Sequence, residues 1–114
     1  MVPRMTPSER ITAEVTSWPG VIAAHGARGE FGFNVGRRQL GHLHGDRVAH
    51  FGFPRPVGAE LRAAGRIGPH PVKPDNPGWA ARRMENDADV EDVIALMRLN
   101  YDRIVQRYGT PNAA

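Results

Sequence analysis

Apolar positions in the last third of the chain recur at helical spacing. Val90, Val93, Ile94, Met97, Tyr101, Ile104, Val105 and Tyr108 follow i, i+3, i+4, i+7, predicting a long helix near residues 87–108. Asp87, Asp89, Glu91 and Asp92 crowd its positive end, and Arg98, Arg103 and Arg107 lie toward its negative end. A first helix is predicted near residues 7–17. Thr6 and Glu9 form a capping box around Pro7, and Ile11, Val15 and Trp18 make one stripe before Pro19-Gly20. Between these helices the period changes to two. Phe31, Phe33 and Val35 alternate with Gly32, Asn34 and Gly36, and Val21 to His25, Leu40 to His44 and Val48 to Phe53 also read as strands. Arg55 to Ala64 reads as a short helix ended by Gly65, and Arg66 to His70 as a brief strand. Pro69, Pro71, Pro74 and Pro77 make the next segment a stiff loop, and a strand from Gly78 to Met84 follows. The order predicts an α+β fold, an antiparallel sheet with the N- and C-terminal helices packed on one face. Ile11, Val15, Trp18, Val93, Ile94, Met97 and Tyr101 are expected in the core. All 114 residues are read as one domain, its core spanning about residues 7–108.

The segment Leu40-Gly41-His42-Leu43-His44-Gly45-Asp46-Arg47 reads as a hairpin. Glycine at the first central position suits a two-residue primed turn, Gly45-Asp46. His42 would then oppose Ala49 and His44 would oppose Arg47. Leu40, His42, His44, Ala49 and Phe51 would share one face, with Leu43, Val48 and His50 on the other. A three-residue loop, Gly45-Asp46-Arg47, would instead set His42 opposite His50 and gather three histidines. Such loops favour glycine at the last position, where this chain has Arg47, so the two-residue turn is preferred. Asp46 is expected to bond its own turn backbone.

Composition narrows the chemistry. There are no cysteines, which excludes disulfide and thiolate chemistry. No apolar run is long enough to span a membrane, and Met1 to Glu9 lacks the apolar core of a signal peptide, so the cytoplasm is the expected compartment. The pI of 10.2 comes from 14 arginines and one lysine, but the net charge is only +3. The adjacent pairs Arg37-Arg38 and Arg82-Arg83 lie in or beside strands and point to opposite faces. Nucleic acid is therefore not the expected partner; a small molecule or a protein is. No nucleotide loop, nucleophile elbow or His-Glu-x-x-His is present. Two histidines at i, i+2 lack a third metal ligand within the preferred register, so neither a metal nor another cofactor is expected. His42, His44, His70 and Trp79 remain the ligand-binding candidates, although a tryptophan at a strand start reads first as a core anchor.

Gly41-His42-Leu43-His44-Gly45-Asp46, Phe53-Pro54, Leu61 to Gly65, Pro69-His70, Pro74-Asp75, Gly78-Trp79 and Leu96 to Tyr101 together resemble the luciferase-domain family, over about residues 20–105. These are small bacterial and fungal proteins, largely without assigned activity. The name implies no light emission here, because the barrel of flavin-dependent luciferases takes about 250 residues. Two departures stand out: Pro71 occupies a position where similar sequences carry a second histidine, and Ala80-Ala81-Arg82-Arg83 is more polar than the family pattern. The order of strands, Trp strand and closing helix also looks like the MmcQ/YjbR group with its frataxin-like fold, an analogy that brings in DNA binding. Three readings follow. The first is a ligand- or protein-binding accessory module using the sheet face around His42 and His44. The second is a small enzyme, of a biosynthetic step for example, with His42 or His44 as acid or base, and the third is nucleic-acid binding.

Overall fold

The computed structural model describes residues 4–111. The described residues form a six-stranded antiparallel sheet and three helices, the α+β arrangement expected. In chain order these are α1 (Pro7–Val15), β1 (Val21–His25), β2 (Phe31–Val35), β3 (Arg38–His44), β4 (Val48–Gly52), α2 (Arg55–Ala63), β5 (Gly68–Pro69), β6 (Trp79–Arg83) and α3 (Asp87–Tyr108). The sheet order is β1-β2-β3-β4-β6-β5, so β6 inserts between the second strand of the hairpin and the short edge strand. Helix α3 lies across β2, β3 and β6, and α1 packs against α3. No helix among the described residues is long and apolar enough to cross a membrane.

Both terminal helices form where predicted, α1 ending at Val15, two residues early. Thr6 Oγ1 accepts the Glu9 N–H and Glu9 Oε1 accepts the Thr6 N–H, completing the capping box. Ile11, Val15, Trp18, Val93, Met97 and Tyr101 are buried. Ile94 is only partly buried, because the α3 stripe rotates to sink Leu96 and Asn100 instead.

Asn100 is fully buried, and its Nδ2 donates to the carbonyls of Leu40 (3.0 Å) and Gly52 (3.1 Å). The Leu40 carbonyl needs this partner because β3 bulges there: Phe33 pairs with Gly41 and Asn34 with Gln39, leaving Leu40 over. The bulge puts Leu40 and Gly41 both on the buried side, and it resets which face every later β3 side chain occupies.

That reset overturns the expected hairpin register. His42 pairs with His50, Leu43 with Ala49 and His44 with Val48, leaving a three-residue loop, Gly45-Asp46-Arg47. Gly45 takes the left-handed conformation (φ +63°) at the first loop position, so Arg47 never has to. Arg47 already belongs to the ladder on its other side, its carbonyl accepting the Met84 N–H at 2.8 Å. Asp46 also departs from expectation: its Oδ1 accepts the Ser8 N–H at 2.9 Å, tying the loop to the start of α1.

Candidate functional site

With Leu43, Ala49 and Phe51 turned to the core, the register sends His42, His44, Val48 and His50 to the opposite face. Direct cross-strand partners share a face, so Trp79, Ala81 and Arg83 of β6 join them. His70, just after β5, closes the row. The rings form a continuous track: His42–His44 at 5.0 Å between centroids, His42–His50 at 5.2 Å, His44–His50 at 4.6 Å, His50–His70 at 4.3 Å and His70–Trp79 at 5.1 Å.

His42, His44, His70 and Trp79 thus gather in one place, and His50, assigned by the two-residue turn to the other face, stands at their centre. Trp79 is no core anchor; it is 39% exposed and lies under Lys73 Nζ at 4.8 Å. His25 sits outside the cluster, against Phe31.

One ligating nitrogen from each of His42, His44 and His50 can be chosen so that all lie within 4.8 Å of one another. Tetrahedral zinc with Zn–N near 2.0–2.1 Å needs nitrogens about 3.3 Å apart, so the rings would have to draw together around an ion. His42 Nδ1 donates to Gln39 Oε1 at 2.8 Å, which leaves Nε2 with the free lone pair. Gly32, paired with His42 on β2, leaves the space for that contact, since a Cβ there would come within 2.9 Å of Gln39 Nε2. His70 is held differently. It is 7% exposed, and its Nδ1 accepts the Val72 N–H at 3.1 Å, so its Nε2 carries the hydrogen.

Burial, reinforced by His70, His44 and His42, pushes His50 down to about 4. Burial and then His44 lower His42, partly offset by Glu30; burial and then His44 lower His70. For His42 and His50 the lowering favours the neutral ring, the form that binds metal.

The proline loop that brings in His70 and Trp79 is fixed from α2. Arg62 donates to the carbonyls of Pro74, Asn76 and Trp79. Helix α2 meets the loop at Gly58, where a Cβ would lie 1.9 Å from the Pro77 carbonyl oxygen, so only glycine fits. On the other side of β6, Arg82 pairs with Asp89 and Asp92 while Arg83 faces outward with the histidines, so that pair splits as expected.

The luciferase-domain model matches residues 37–100, more than half of the chain. The chain belongs to the luciferase-domain family. All five residues of the His50-centred track fall inside the matched span, while α1, β1 and β2 lie before it. No curated protein and no solved structure matches the chain.

Proposed function

We propose that this luciferase-domain protein is a small-ligand-binding module whose first ligand is a divalent transition-metal ion, held by His42, His44 and His50. The observation that carries this reading is the convergence of three ligating nitrogens on a sheet face turned away from the core. Imidazole sets of this kind suit zinc, copper, nickel and iron. Three protein ligands with no fourth side-chain donor in the group match the open type of site, in which water or a substrate takes the last position. A metal-free role for His42 as general base is the second reading, supported by its lowered pKa and its Gln39 contact. Nucleic-acid binding draws little support: Arg4, Arg10, Arg66, Arg82 and Arg98 are each paired with a carboxylate.

Calorimetric titration of Zn²⁺ into the metal-free protein tests the reading. One ion per chain is expected. His42→Ala and His50→Ala should each weaken binding by more than the roughly 10–100-fold of an outer-shell change, and His25→Ala should leave it unchanged. Absence of binding, or undiminished binding in His50→Ala, would overturn it.

A further inference from the structure

The row of residues that begins with the histidines continues as a smooth floor. His42 pairs with His50, His50 with Ala81 and Ala81 with Gly68, so two bulky imidazoles are followed across the sheet by two of the smallest residues. Over that floor lies an open cavity of about 1020 Å³, reaching His50 and walled by Val48, Ile67, Pro69 and Arg83. It is at the upper end of the roughly 300–1,000 Å³ of small-molecule sites. Its lining is mainly apolar, and its cations are unequal. Arg66 and Arg82 are neutralised by Asp89 and Asp92, whereas Arg83 makes no ion pair among the described residues and shares the lining with Glu85. Beside His50 stands the one N–H left on His70. A dication on three neutral imidazoles keeps its full charge, so the His50 end of the groove favours an anionic oxygen ligand.

We infer that the groove seats the hydrocarbon body of an aliphatic carboxylate whose carboxylate takes the open position of the metal. This rests on the metal reading above. Val48, Ile67 and Pro69 contact the chain, Ala81 and Gly68 leave room for it, and His70 Nε2–H donates to a carboxylate oxygen.

The test uses the Co²⁺-loaded protein and two probes that bind metal through the same group, acetohydroxamate and octanohydroxamate, followed by the Co²⁺ visible spectrum. Octanohydroxamate should bind at least about tenfold more tightly, since six further methylenes are partly withdrawn from water. Ala81→Leu fills the groove and should abolish that preference while Co²⁺ and acetohydroxamate still bind. Gly68→Ala is the milder variant; its Cβ would sit 3.8 Å from the Ala81 carbonyl oxygen, an ordinary contact, and it should reduce the preference. Equal affinity for the two probes, or a preference that survives both substitutions, overturns the groove assignment alone. Failure of Co²⁺ to bind overturns the metal site and the groove assignment with it.

Discussion

Asn100 and His50 are the two residues on which most depends, one for the fold and one for the site. Asn100 satisfies two strand carbonyls at once, one of them at the β3 bulge. Asn100→Ala strips both of their partner and should cost about 2 kcal/mol, read as a lower urea midpoint at unchanged slope. A midpoint within error of the parent would show the bulge needs no tie. His50 makes stability pH-dependent. Its folded pKa of about 4 lies below the ordinary 6.5. Between those values the unfolded chain binds a proton that the folded chain refuses. The metal-free protein should therefore be fully stable above about 6.5 and lose stability as pH falls toward about 4. His42 and His70, lowered for the same first reason, add in the same direction. His50→Asn should flatten this slope in urea midpoints taken across the window; an unchanged slope would place its origin elsewhere.

At the scale of elements, the hairpin loop does more than reverse the chain. Asp46 accepts the Ser8 N–H and so adds an anionic cap to α1 beside the neutral Thr6 hydroxyl. Asp46→Ala should cost about 1 kcal/mol, the usual loss for a helix cap, whereas a residue serving only its own turn would cost less; chemical denaturation of the two proteins decides this. Here the limits of the sequence are plain. The helices were legible because their signals are local: the Thr6–Glu9 box and the Val93–Met97–Tyr101 stripe depend on spacing alone. The face of the histidines was not, because the β3 bulge at Leu40 exists only through pairing with β2 and the contact from Asn100, sixty positions on. Counting by twos from Leu40 puts His42 in the core; counting from Leu43 puts it outside, as found. The three-residue loop was recognisable as an option. What selected it was Gly45 at the first position and the anchoring of Arg47 and Asp46 by β6 and α1.

For the whole molecule, an antiparallel sheet needs only one face covered. Helix α3 covers one, and α1 packs on α3, so the core is completed without the other face. That freedom permits polar imidazoles, which would repel one another if protonated, to line up beside Trp79 and a small-residue groove. Candidates His42, His44, His70 and Trp79 were visible as residue types before their geometry was known; His50 became their centre only once the register was fixed. Whether the three hairpin histidines are metal ligands is read from X-ray absorption of the protein carrying one Zn²⁺. The predicted spectrum has three imidazole nitrogens at about 2.0–2.1 Å and one lighter oxygen donor, four-coordinate in all. His50→Ala should lose one imidazole from that shell. A shell built of oxygens, or one with at most a single imidazole, would contradict it.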